Sequence, residues 1–268
     1  MNTRASEWFN FRTQADVIRA LSVSPQSPPP WPALIIIHGV NGLGPHMEAK
    51  ARDFAAEGYL AVVPDIYTND AAFRTHRPDD ILAAAHMGAD RERQQKALAH
   101  FPESKRSDIV RAREWIDNRP GSTYIDIIRG CYVALTARQD IAAIGCIGYC
   151  MGGRLTGELA ATGAELAAGV IYYGGHPKLD LVSNIRCPLQ GHYAVTDKSI
   201  TGKIPDFAAA LEAAGKEFTY YIYDADHGFS LEPGTESYNE AATQLSLTRV
   251  KPFLAKHLKE AVYVGAAD

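Results

Sequence analysis

Three side chains in this sequence have the types and the order of a nucleophile, an acid and a base. Cys150 closes the apolar run "IAAIGCIGYCMGG" (141–153) and fits the pattern G-x-nucleophile-x-G, with cysteine where serine usually stands. Such a turn lifts the nucleophile above the end of a strand and leads at once into a helix. Side chains two residues to either side would collide there, and Gly148 and Gly152 remove them. A helix starting at Met151 aims its free N–H groups and positive dipole end at the sulfur, which favours a thiolate and later an oxyanion. The commonest fate of a free thiol is burial without reactivity, and Cys146, inside the strand, fits that description. The flanking glycines separate Cys150 from it.

A thiol of ordinary pKa, about 8.5, is only a few per cent ionised at neutral pH, so a base is required. With this elbow the partners follow as nucleophile, acid, base, each in a loop after a later strand. "GHYAVTDKSI" supplies Asp197 just past one apolar run, and "YYIYDADHGFS" supplies His227 just past the next. Asp224 and Asp226 stand too near His227 in sequence to orient its ring easily and read as solvated loop charges. Of the nine histidines, His227 alone sits between the last strand pattern and the last long helix pattern. Covalent acyl transfer is the chemistry this set could perform: thiolate attack on a carbonyl, a proton carried by His227, and Asp197 holding the ring.

These loops need a sheet to hold them. Short apolar runs alternate with amphipathic stretches, the pattern of an α/β fold with a mostly parallel sheet and helices on both faces. The predicted strands are "ALIIIH" (33–38), "YLAVVP" (59–64), "IAAIGCIG" (141–148), "AAGVIYYG" (167–174), "CPLQGHYA" (187–194) and "EFTYYIY" (217–223). Helices are predicted in "PHMEAKARDFAAEG" and roughly over 151–163, 204–214 and 236–259. Residues 70–120 break the rhythm: they are charged and polar, helical in pieces, and read as an insert or lid above the sheet. With no repeat and no low-complexity linker, 1–268 is expected to be a single domain.

Composition narrows the partners. A formal net charge of −4 gives no electrostatic footprint for nucleic acid or anionic lipid. No run approaches the roughly 18 apolar residues of a membrane span, and the N-terminus has no basic start followed by an apolar stretch. The four cysteines lack regular spacing and read as reduced thiols, so a cytoplasmic location is expected. No His or Cys pair has metal-ligand spacing; neither metal nor organic cofactor is expected. The expected partner is a small-molecule ester or lactone, and the sequence is silent on oligomeric state.

Together, "GYCMGG", "EGYLAVVPDIY", "VIYYGG", "CPLQGHYAVTD" and "DHGF" resemble the dienelactone hydrolase family, the cysteine branch of the α/β-hydrolase fold. The resemblance runs from about Trp31 to Leu258, apart from the 70–120 insert. It implies Cys150 as nucleophile, His227 as base and Asp197 as orienting acid, with the backbone N–H groups of Met151 and Val40 as oxyanion hole. Two departures bear on substrate. The family's activating glutamate in the first-strand loop is matched here, in "HGVNGLG", by Gly39. The arginine that holds a substrate carboxylate shortly after the histidine is absent, since Gly228, Phe229, Ser230 and Leu231 follow His227. Arg91, Arg93 or Lys96 of the insert could restore a positive charge. Around the nucleophile, His38, Gly39, Tyr149, Arg154 and Phe229 are the candidate pocket residues, although His38 also suits a structural role and Arg154 a surface ion pair.

Two other readings stay open. Gly39, Gly42 and Gly44 form a glycine-rich turn between strand and helix, with Asp65 after the next strand, as in a nicotinamide-dependent oxidoreductase. Against it, the spacing is GxxGxG and Pro45 opens the helix. A non-catalytic binding protein on a hydrolase scaffold is the other.

Overall fold

The structure is a computed structural model that describes residues 5–87, 91–118 and 121–259. Eight strands form one sheet: β1 (Glu7–Arg12), β2 (Val17–Val23), β3 (Trp31–Ile37), β4 (Leu60–Pro64), β5 (Ile141–Tyr149), β6 (Ala168–Tyr172), β7 (Leu189–Ala194) and β8 (Phe218–Tyr223). Their spatial order is β1-β2-β4-β3-β5-β6-β7-β8. From β4 to β8 every pairing is parallel, whereas β1 with β2 and β2 with β4 are antiparallel. This is the α/β-hydrolase fold.

The parallel strands read as continuous apolar runs because helices cover both faces. All seven residues of β3 are buried, and each fully buried Leu or Ile there contributes roughly 1.5–3 kcal/mol. One face carries α1 (Pro45–Ala56) and α9 (Glu240–Leu254), whose Met47, Phe54, Val250 and Leu254 pack on Leu34, Ile36 and Val170. The other carries α5 (Gly121–Thr136), α6 (Met151–Ala161) and α8 (Ile204–Ala213), with Ile128, Leu155 and Phe207 against Ile35 and Ile37. A short helix, α7 (Lys198–Thr201), follows β7.

The insert is helical, as its sequence predicts. It contributes α2 (Pro78–His86), α3 (Arg91–Ala99) and α4 (Glu103–Asn118). Here Ile81, Ala84 and Met87 pack with Ile109 and Ala112 of α4, and the cluster closes on Val40 in the loop after β3. The sequence reading leaves out helix α5 and the N-terminal hairpin β1–β2. The hairpin's turn is held by Thr13, whose hydroxyl oxygen accepts from the Ala15 and Asp16 amides.

Candidate active site

Strand β5 delivers the nucleophile. Cys150 stands between β5 and α6 with φ 57° and ψ −115°, a region that non-glycine residues enter only when their surroundings force them. Its amide donates to Tyr172 O at 3.0 Å, and its carbonyl accepts from Arg154 N at 3.2 Å. The elbow can close only because two positions lack side chains. A Cβ on Gly148 would lie 2.0 Å from Gly152 O, and one on Gly152 would lie 2.2 Å from Ile37 O.

The other two side chains arrive from the ends of β7 and β8. His227 Nε2 lies 3.1 Å from Cys150 Sγ, and Nδ1 lies 2.5 Å from Asp197 Oδ2. Asp197 is further held by Ser199, whose hydroxyl donates to Oδ1 at 3.0 Å. The two loops are also tied together one residue away: Thr196 Oγ1 donates to Asp226 Oδ1 at 2.7 Å. Asp226 is therefore a brace for the acid loop, where the sequence suggests a solvated charge. The structure thus brings Cys150, Asp197 and His227 into one chain of contacts, and the amides of Met151 and Val40 lie near enough to the sulfur to favour its charged form.

The electrostatics follow from that geometry. Burial alone pushes the Cys150 thiol up. The charge of His227, its hydrogen bond, and the Met151 and Val40 amides outweigh burial and hold the thiol below its ordinary value. Burial pulls His227 down, but the sulfur's charge and the hydrogen bonds to Asp197 and Cys150 raise it to about 10. Asp197 is pushed up by burial and brought below the usual carboxylate range mainly by its hydrogen bond to His227. Between the lowered thiol pKa and about pH 10, the pair stands as thiolate and imidazolium.

Iodoacetamide should accordingly alkylate Cys150 ahead of the three other cysteines. Those are buried, and burial raises Cys146 and Cys187 to about 12 and Cys131 higher still. Because the thiolate persists below the ordinary thiol pKa, the labelling rate should begin to fall at a lower pH than that of an ordinary thiol. Peptide mapping of partially labelled protein reads both effects. Preferential labelling elsewhere, with activity intact, would remove Cys150 from the chemistry.

Of the five candidate pocket residues, Gly39 faces the nucleophile's side chain: a Cβ there would lie 3.5 Å from Cys150 Cβ. The other four are placed differently. His38 is fully buried; its Nε2 accepts from Ile66 N at 3.2 Å, which leaves Nδ1–H to donate to Gly39 O at 2.7 Å. It shapes the loop from behind. Tyr149 lies in the core below, packed at a tilt on Tyr172 with the Lys50 ammonium 4.5 Å above its ring. Phe229 is fully buried among Tyr172, Tyr173 and Tyr223. Arg154 pairs with Glu158 one turn along α6. Strand alternation accounts for Tyr149, since neighbours of an outward-pointing residue point inward. In the insert, Lys96 is paired with Glu92 on an exposed face; the side chains of Arg91 and Arg93 lie outside what the structure describes.

Two residues that the sequence reading overlooks stand beside the base. The Tyr173 ring packs on His227 at 5.1 Å between centroids, with φ 36° at its own backbone. His86, the last residue of α2, presents its ring edge-on to His227 at 6.2 Å. Nothing local marks either one, because a histidine ending an apolar helix pattern is ordinary. Among the described residues no cluster of His, Cys, Asp or Glu could hold a metal ion, and no helix is long and apolar enough to cross a membrane.

Comparison with known proteins identifies the family and the fold. The pattern of the "Dienelactone hydrolase family" matches residues 18–258. A protein of Saccharolobus solfataricus, named "Putative carboxymethylenebutenolidase", is 28% identical over 257 residues, covering 89% of this chain and 94% of its own. The "Carboxymethylenebutenolidase" of a Pseudomonas species is 25% identical over 230 residues, covering 82% and 86%. Among solved structures, the dienelactone hydrolase of Anabaena variabilis superposes with a TM-score of 0.64 at 14% identity, covering 95% of this chain and 98% of that one; at that identity the likeness concerns the fold.

Proposed function

The chain belongs to the dienelactone hydrolase family, and on that footing we propose that it hydrolyses carboxylic esters or lactones through an acyl-enzyme on Cys150. The observation that carries this reading is the unbroken contact chain from Asp197 Oδ2 through His227 to Cys150 Sγ, at 2.5 and 3.1 Å. In this reading the thiolate attacks the substrate carbonyl, and the Met151 and Val40 amides receive the oxygen as it becomes negative. His227, protonated at rest, gives its Nε2 proton to the departing alkoxide. Asp197 keeps the Nδ1 proton in place, so that Nε2 always faces the sulfur. Water then attacks the thioester, His227 takes one of its protons, and the C–S bond breaks to restore the ion pair.

Substrate charge follows from the same residues. Gly39 offers no side chain at the nucleophile, Leu231 no positive one after the base, and Lys96 is committed to Glu92. The carboxylates of Glu236, Asp197 and Asp226 act on His86 beside the base. A carboxylate entering such a site unpaired loses several kcal/mol of solvation, on the order of 100-fold or more in rate. Neutral short-chain esters or lactones are therefore the preferred class. The relatives' name specifies a butenolide, a lactone, so the decisive comparison is kcat/KM for a carboxylate-bearing lactone against its neutral ester analogue. The neutral member should win, Leu231→Arg should narrow the gap, and Cys150→Ala should remove turnover of both. A clear preference for the anion would overturn the charge argument; turnover surviving in Cys150→Ala would overturn the acyl-enzyme.

A further inference from the structure

The insert reaches two parts of the site at once. Through Ile81 and Ala84, with Met87 just past its end, α2 packs in one apolar cluster with Val40, whose amide favours the charge on the sulfur. Through His86, at its last residue, the same helix reaches the ring of His227. A carbonyl lying between the Val40 amide and the base must therefore sit under α2. Val40 marks the oxyanion side and His86 the base side of that roof.

His86 is suited to more than walling the cleft. Its ring is exposed and, among the described residues, makes no hydrogen bond. The two ring planes meet at 78° with 6.2 Å between centroids, which puts the nearest ring atoms roughly 4–5 Å apart, a gap that one water molecule hydrogen-bonded to both rings spans. Although the residue keeps contact with solvent, the protein packed around its ring withdraws part of its hydration; that desolvation first, then the charge of His227, lowers the pKa of His86, while Glu236, Asp197 and Asp226 pull it the other way. The net lowering leaves the ring neutral at pH 7, with one nitrogen able to accept and the other to donate. From α4, Arg113 is turned to the Ala84 carbonyl and Lys105 to Asp80 at the far end of α2.

From this geometry we propose that His86 is a positioning residue for the second nucleophile, holding the water that attacks the acyl-enzyme beside Nε2 of His227. The inference rests on the acyl-enzyme reading above. After the alcohol has left, His227 is neutral. The water held between the two rings attacks the thioester carbon and passes one proton to Nε2. The tetrahedral oxyanion collapses, the C–S electron pair returns to Cys150 as thiolate, and the carboxylic acid departs. His86 accepts a hydrogen bond from the water throughout and ends as it began, neutral.

A role confined to the second nucleophile separates hydrolysis from acylation, and a merely structural role does not. The measurement uses p-nitrophenyl acetate, which is reactive enough to acylate a thiolate whatever the natural substrate, in water containing methanol. Acetate and methyl acetate are quantified together with p-nitrophenol. In His86→Ala the ratio of acetate to methyl acetate should fall by about tenfold, the scale of misplacing one reactant. The second-order rate of Cys150 acylation should stay within about twofold, and His86→Gln, which keeps a hydrogen-bonding group, should recover part of the ratio. An unchanged ratio in both variants overturns the proposal, as does a parallel loss of acylation and hydrolysis. Intact-mass detection of an acetyl group on Cys150 keeps the two readings apart: an adduct that forms and decays with the ratio unmoved sinks only the role of His86, and no adduct at all sinks the acyl-enzyme with it.

Discussion

His227→Ala is expected to lower kcat by about 100-fold or more, the usual scale for a positioned acid–base group. The expectation rests on two losses that coincide. Without the imidazolium the sulfur loses the main influence opposing burial, so its pKa rises and the thiolate fraction at neutral pH falls. Without Nε2 nothing protonates the leaving alkoxide. Asp197→Asn should also damage turnover, because an amide can present its NH2 group to Nδ1 and favour the wrong tautomer. The wild-type rate should show an acid limb below the ordinary thiol range and a basic limb near pH 10, where the imidazolium loses its proton. Removing His227 should abolish the basic limb and move the acid limb upward. Near wild-type rates in both variants would end the assignment of these side chains, whatever the fold.

The second large effect lies in a residue without a side chain. Gly148→Ala should cost about 3 kcal/mol or more of stability, at the upper end of overpacking, and remove activity in whatever protein still folds. Its added carbon would stand 2.0 Å from the Gly152 carbonyl oxygen and 2.6 Å from Thr156 Oγ1. The first of these is backbone, in the opening turn of α6, and cannot swing aside. Relief requires the helix to retreat from β5, which moves the Met151 amide away from the sulfur. Thermal unfolding with parallel iodoacetamide labelling tests it: a variant with unchanged midpoint and unchanged Cys150 labelling would show that the elbow tolerates a side chain.

The elbow was legible because its geometry leaves few residue types permissible: Gly148 and Gly152 stand where any side chain would strike backbone. Asp197 and His227 were legible because chain order in a parallel sheet constrains which loops meet at one edge. The β1–β2 hairpin could have been read from the alternation of Phe9, Phe11, Ile18 and Ala20 around a Thr13–Asp16 turn, a weaker signal than the long apolar runs beside it. The pocket was not legible. Tyr149 and Phe229 flank site residues in sequence, yet their side chains point into the core, and Arg154 finds its partner within its own helix. His86 and Tyr173 come to the base by long-range packing, through α2 resting on Val40 and through β6 lying beside β5. Sequence proximity carries no information about such neighbours.

The bond from Thr196 to Asp226 has a mechanical meaning for the site. Together with the Asp197–His227 contact and the bond of the same hydroxyl to Ala225 O, it fastens the β7 and β8 loops at three points. Drawing the acid away from the base requires all three to break, so the pair moves with the sheet edge. The roof has a different attachment, an apolar contact between α2 and Val40, which can slide without breaking anything directional. Displacement at the mouth therefore changes where His86 stands over the base while leaving unchanged how the base itself is held.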